Sequence, residues 1–189
     1  MLSAEQIIHY QPSADLLNNR IILITGAGDG IGKAAALACA SAGAKVILAG
    51  RTVTKLELVY DLITAAGQQE PVIYPIDLEG AKQDDYHQLA VAVDNQFGRL
   101  DALLLNAGIL GQRTPLNNYR QDVWDKVLKV NVSAQFQMTQ ALMPVLEKST
   151  DASVVFTTSS VGKVGRAFWG AYGVSKFAVE GMVQTWAAE

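Results

Sequence analysis

The chain has 189 residues, half of them hydrophobic and 17% charged, with a net charge of −3. That length and composition fit one globular domain and exclude a disordered chain. There is no basic run to hold nucleic acid, no apolar stretch reaches the roughly 18 residues of a membrane span, and a lone cysteine, Cys39, excludes an internal disulfide.

Residues 1–20 read as an N-terminal arm. They lack the basic start and apolar core of a signal peptide, and with so few cysteines a cytoplasmic protein is expected. Pro12 discourages helix at Gln11. Two histidines, His9 and His87, and one cysteine are too few for a structural zinc site, so no metal is expected.

From Ile21 the chain alternates. Residues 21–25 are a short, apolar, β-branched run that predicts a buried strand of a parallel sheet. A turn with Gly26, Gly28, Gly30 and Gly32 follows at once, and residues 33–42 are an alanine-rich helix closed by Gly43. Strand, glycine-rich turn and helix together form the geometry that lays a pyrophosphate on a helix N-terminus. The unit recurs: a strand over 45–49, a helix over 53–66 ending at Gly67, a third strand over 72–76 and then Asp77. Residues 84–97 predict a helix with Leu89, Val93 and Phe97 on one face, followed by a fourth strand over 100–105.

Asn106, Ala107 and Gly108 end that strand, and a loop containing Pro115 leads to an amphipathic helical stretch over 122–147 that Pro144 should kink or end. A fifth strand over 153–158 runs into Ser159, and Tyr172 and Lys176 follow after a glycine-bearing loop. The alternation predicts an α/β fold, a Rossmann-type doubly wound parallel sheet in a single domain over 21–189. If a helix begins near Tyr172, the four-residue step puts Tyr172 and Lys176 on one face. A lysine ammonium held against a phenol favours the phenolate, so the pair suits proton transfer, with Ser159 beside it to hold a substrate oxygen.

The glycines do not follow the common G-x-G-x-x-G spacing. They read T-G-x-x-x-G-x-G, with Thr25, Gly26, Gly30 and Gly32. Asp77 after the third strand, Asn106-Ala107-Gly108 after the fourth, Asn131, and Ser159 thirteen residues before Tyr172-x-x-x-Lys176 fall in step with them. In that joint order and spacing the chain resembles the short-chain dehydrogenase/reductase family from about residue 18 onward. The segments 9–20, 25–32, 106–111 and 165–182 are similar to one bacterial branch of it.

The resemblance implies roles. Gly26, Gly28, Gly30 and Gly32, with Asp29 and Ile31 between them, would bring the backbone to the cofactor phosphates, and Thr25 would support the turn. Asp77 would accept a hydrogen bond from adenine, with Leu78 beside it; a turn aspartate is the alternative. Asn106, Ala107 and Gly108 would keep a close approach to the cofactor, although Leu105 replaces the asparagine that often opens that motif. Tyr172 would be the general acid/base, Ser159 would orient the substrate oxygen, Lys176 would serve Tyr172 and bind the ribose, and Asn131 would hold a water leading to Lys176.

No acidic residue ends the second strand, where one would bind a ribose 2′-hydroxyl and favour NAD. Gly50 and Arg51 stand there, and an arginine can pair with a 2′-phosphate. NADP(H) is therefore expected, with NAD the lesser choice and Asp29 as a feature against it.

The expected substrate is a small carbonyl compound or alcohol held between loops 109–121 and 161–171, with Val164, Phe168 and Trp169 as apolar wall and Arg166 for an anionic group. A homodimer or homotetramer is implied. Relatives continue beyond residue 189, so C-terminal strands of the family sheet are expected to be lacking, the last helix is expected to expose Phe177, Met182 and Trp186, and stability without oligomer contacts is expected to be poor. The other readings are a non-catalytic dinucleotide-binding or regulatory protein of the same fold, and a sugar-nucleotide epimerase or dehydratase, whose T-G-x-x-G-x-x-G pattern Asp29 interrupts.

Overall fold

A computed structural model describes residue 10 and residues 12–189 of the chain. Five parallel strands form one sheet in the order β3-β2-β1-β4-β5. They are β1 (Ile21–Thr25), β2 (Lys45–Gly50), β3 (Val72–Pro75), β4 (Ala102–Leu105) and β5 (Ser153–Phe156). The order reverses between β1 and β4, and ligands of open α/β sheets bind outside the carboxyl ends of the strands at such a point.

The two-residue period of β1 divides the core. Leu23 faces one side with Leu103, Leu105, Tyr86, Leu89 and Met138. Ile22 and Ile24 face the other, with Val46, Leu48, Leu56 and Val59. The second layer is made by α1 (Gly30–Ser41) and α2 (Val53–Ala65). In α1 the buried positions are Gly32, Ala36 and Ala40, four residues apart, so its narrow side lies close against the strands. The opposite layer contains α3 (Gln83–Phe97), whose Tyr86, Leu89, Ala90 and Val93 are buried and whose end is capped by Gly98 at φ 72°.

The 122–147 stretch is not one helix. It comprises α4 (Gln121–Leu128), a π-helical turn (Lys129–Ser133) and α5 (Ala134–Leu146). Pro144 lies in the last turn of α5, where its missing N–H removes one bond, and the helix ends two residues later. The Val145 carbonyl, among the last of α5 and so without a partner inside the helix, accepts from the Leu100 N–H at 2.9 Å. The last helix, α6 (Gly170–Ala188), starts two residues ahead of Tyr172.

Of the predicted arm, residues 1–9 and 11 lie outside the described residues. The remainder forms a turn tied to the end of α1 by the Leu17 N–H donating to the Ala42 carbonyl at 2.8 Å. In α6 Phe177 is exposed as expected, but Met182 and Trp186 are half-buried. Trp186 stacks on Phe136 of α5 with ring centroids 6.3 Å apart, so a neighbouring helix covers it. Among the described residues no helix is long and apolar enough to cross a membrane, and no three potential metal ligands cluster.

Candidate active site

One cavity of about 670 Å³ opens at the carboxyl ends of β1, β2, β3 and β4. Ligand sites commonly fall in this size range. The glycine turn forms its floor. Gly26 sits at φ 67°, and a Cβ there would approach Ala107 Cα to 3.1 Å. A Cβ on Gly32 would lie 2.2 Å from the Gly26 carbonyl oxygen. Side chains at either position would close the cradle, which is the steric reason for glycine there.

Thr25, 1% exposed, fixes the turn to β4. Its hydroxyl oxygen accepts from the backbone N–H groups of Asn106 and Ala107, both at 3.0 Å. Asn106 reaches across to β5, accepting from the Thr157 hydroxyl at 3.2 Å. The predicted motif at 106–108 is therefore a tie between three strand ends as well as a cavity wall.

Asp29 caps α1. Its carboxylate accepts from the Gly30 N–H at 2.8 Å and from Lys55 Nζ at 2.6 Å. The Lys55 ammonium, and then the Gly30 N–H, hold the Asp29 carboxyl below the usual carboxylate range. Lys55 was not singled out from sequence. It sits in the first turn of α2, and its Cβ lies 2.9 Å from where a side chain on Gly28 would begin. The feature counted against a 2′-phosphate is thus a neutralised pair. Arg51 lines the same end of the cavity, exposed and without an ion pair among the described residues.

Asp77 lines the cavity and also makes the turn considered as its alternative, its Oδ1 accepting from the Glu79 N–H at 3.2 Å. Leu78 is buried beside it. Ile31, at the open N-terminus of α1, is 67% exposed and faces the cavity.

Tyr172 and Lys176 stand at the other end. Lys176 is 2% exposed, and burial, with no carboxylate to offset it, lowers its ammonium from the ordinary lysine value. Its Nζ donates to the Thr157 carbonyl at 2.6 Å and lies 5.6 Å from the Tyr172 ring centroid. That bond takes the Thr157 carbonyl at the end of β5, which stops short of the predicted residue 158.

Asn131 is fully buried in the π turn. Its Oδ1 accepts from the Ile109 N–H at 2.8 Å, and its amide donates to the Ile109 carbonyl at 2.9 Å and to Ser175 Oγ at 3.0 Å. Both amide hydrogens are therefore in use, and a relay water would find only the remaining Oδ1 lone pair. A Cβ on Gly108 would lie 3.3 Å from Asn131 Oδ1 and 3.9 Å from Lys176 Nζ, so both side chains close on this glycine.

Ser159 caps the short 3-10 turn Ser160–Gly162, accepting from the Val161 N–H at 3.5 Å. Its hydroxyl hydrogen has no partner among the described residues and is free to donate. Neither Ser159 nor Asn131 lines the cavity itself. Of the predicted apolar wall, Trp169 does, whereas Val164 and Phe168 are 64% and 53% exposed and Arg166 points to solvent.

A glycine cradle that a Cβ at Gly26, Gly28 or Gly32 would crowd, a helix N-terminus and an arginine with no ion pair among the described residues together fit a dinucleotide carrying an additional phosphate. The sequence pattern of the short chain dehydrogenase family matches residues 20–189. The uncharacterized oxidoreductase YciK of Escherichia coli strain K12 is 50% identical over 182 residues, covering 96% of this chain and 72% of YciK. A Shigella flexneri 2a strain 301 protein solved in complex with NADP is 48% identical with a TM-score of 0.91, over 93% of this chain and 74% of that one. An Escherichia coli CFT073 protein solved in complex with NADPH is 49% identical, also with a TM-score of 0.91, over 94% of this chain and 74% of that one.

Proposed function

This chain belongs to the short-chain dehydrogenase/reductase family of oxidoreductases, and on that premise we propose that it is an NADP(H)-dependent enzyme interconverting a carbonyl and an alcohol. The observation that carries the reading is one cavity with a glycine cradle and Arg51 at one end and the Tyr172–Lys176 turn at the other. When bound, the dinucleotide supplies or accepts a hydride at its nicotinamide ring. The remaining work falls to side chains and backbone.

Gly26, Gly28, Gly30 and Gly32 admit the pyrophosphate to the N-terminus of α1, where the first-turn N–H groups have no partner within the helix. Arg51 pairs with the 2′-phosphate, which supports NADP(H) over NAD(H), as do the NADP and NADPH complexes of two relatives. Asp77 and Leu78 take the adenine, and Asn106, Ala107 and Gly108 line the path between the two ends. At the reacting oxygen Tyr172 supplies a proton in reduction and takes it in oxidation. Ser159 donates its free hydroxyl hydrogen to the same oxygen. Lys176 stands beside Tyr172, its Nζ 5.6 Å from the ring centroid, and binds the ribose. Asn131 holds Ile109 and Ser175 so that Lys176 and Gly108 stay in register, and assembly as a homodimer or homotetramer belongs to the same reading.

The test is Tyr172→Phe assayed for NADPH oxidation over a panel of ketones and aldehydes, with NADPH binding followed in parallel by its fluorescence. Turnover should fall by roughly a hundredfold or more, the usual scale for a lost general acid, while binding persists. A variant that still turns over would overturn the role.

A further inference from the structure

The two walls flanking Tyr172 are locked together by one side chain. Tyr119, in the loop after β4, accepts one hydrogen bond and packs at two points. Its Oη accepts from the Gln112 N–H at 3.1 Å. A Cβ on Gly111 would lie 2.5 Å from that oxygen, and a Cβ on Gly170 would lie 2.3 Å from the Tyr119 ring. Gly111 sits at φ 69° and Gly170 at φ 40°. Phe168 sits at φ 69°, a backbone state that a bulky side chain rarely adopts and that the surrounding loop must hold in place.

This constraint sets Trp169. Left-handed residues precede and follow it, and its ring lies 5.8 Å from the Tyr172 ring. Arg113 stands over the Trp169 ring, its guanidinium carbon 4.8 Å from the centroid, within cation–π range. Arg113 is exposed and has no ion pair or hydrogen bond among the described residues.

Charge along the walls has one sign. There is no aspartate or glutamate between Asp101 and Asp122, nor between Asp151 and Glu180, yet those stretches carry Arg113, Arg120, Lys163, Arg166 and Lys176. The carboxylate next in sequence to the first wall, Asp122, is bound to Arg120 at 2.6 Å, and Asp125 accepts from Gln121 at 2.8 Å. The two loops thus carry Arg113, Lys163 and Arg166 with no ion pair among the described residues, and unpaired cations of this kind concentrate anions.

We propose that the substrate is an anionic carbonyl compound, with Arg113, held on Trp169, binding a carboxylate or phosphate a short carbon chain from the carbonyl that meets Tyr172. The inference rests on the oxidoreductase reading above, but the binding it requires does not need turnover. Arginine suits the role because its planar fork meets two oxygens of either group at once, and stacking on Trp169 fixes that fork in advance.

The experiment uses two matched pairs of ketones with NADPH: 4-oxopentanoate against 2-hexanone, and hydroxyacetone phosphate against hydroxyacetone. In each pair kcat/KM is compared for the unaltered chain, Arg113→Gln and Arg113→Lys. The charged member of one pair should be preferred by at least roughly tenfold, the scale of a charge-assisted bond. Arg113→Gln should collapse that ratio and Arg113→Lys should restore part of it, and the pair that responds identifies carboxylate or phosphate. Titration of tryptophan fluorescence with 4-oxopentanoate and hydroxyacetone phosphate, with Trp169→Phe as control, reads binding without catalysis.

No preference for either charged ketone, or a ratio untouched by Arg113→Gln, overturns the inference. If no ketone is turned over at all, the oxidoreductase reading fails, and the fluorescence titration still decides. Saturable quenching lost in Arg113→Gln upholds the anion site, and its absence in the unaltered chain overturns it.

Discussion

At the scale of single residues, the glycine cradle was legible because steric demand leaves a mark in composition. Gly26 and Gly32 have no room for a side chain, and a sequence records that directly. Arg51 was legible for a similar reason, since the end of a predicted strand locates it. Lys55 was not, because its meeting with Asp29 depends on how closely the first turn of α2 packs on Gly28. Asp29 would repel a 2′-phosphate if Lys55 did not neutralise it. Lys55→Gln should therefore weaken 2′,5′-ADP binding, measured by calorimetry, by roughly threefold to tenfold, the modest scale of an exposed pair. Binding of 5′-AMP should change less, and Asp29→Asn in the same chain should recover the loss. Equal losses for the two nucleotides would sink this account.

At the scale of elements, the α/β alternation and the helix containing Tyr172 and Lys176 followed from periodicity, with most ends displaced by no more than two residues and the start of α1 by three. The π turn at Lys129–Ser133 did not. An apolar face every three or four residues continues through it, so nothing in the pattern marks the local change of winding. Its consequence is large, because it turns Asn131 inward to hold Ile109 and Ser175 through three hydrogen bonds. Asn131→Ala would leave the Ile109 N–H and carbonyl without that partner. It should lower the stability measured by urea denaturation by about 1–3 kcal/mol, the cost of part-buried unsatisfied groups. A variant of full stability but impaired turnover would instead favour a role for Asn131 confined to a proton relay.

At the scale of the whole molecule, Asp101 joins segments far apart in sequence. Nearly buried, it accepts from the Ile21 N–H at 2.8 Å, Ser149 Oγ at 2.7 Å and Arg99 Nε at 3.0 Å, and Arg20 stands 3.6 Å away. Burial pushes its carboxyl up, but the hydrogen bonds from Ser149, Ile21 and Arg99 outweigh burial and hold it below the usual range. A carboxyl depressed in the folded state contributes stability that is complete above its unfolded value, near ~4, and is lost as pH falls through the folded value. Asp101→Asn should lower Tm at neutral pH, and the gap from the unaltered chain should narrow as pH drops below about 4. A gap that stays constant to acid pH would show that the clamp works by shape rather than charge.

The sequence by itself determined the α/β alternation and the glycine cradle, each of which depends on composition or spacing within a few residues of the chain, and its resemblance to the family named residues expected at both ends of the cavity. Tertiary structure alone decided that Lys55 neutralises Asp29, that Asn131 ties Ile109 to Ser175 across 66 positions of chain from Ile109 to Ser175, and that Tyr119 locks the rim around Arg113 and Trp169. These are contacts between side chains brought together from separate elements, and their partners are chosen by packing distance, which local periodicity does not encode.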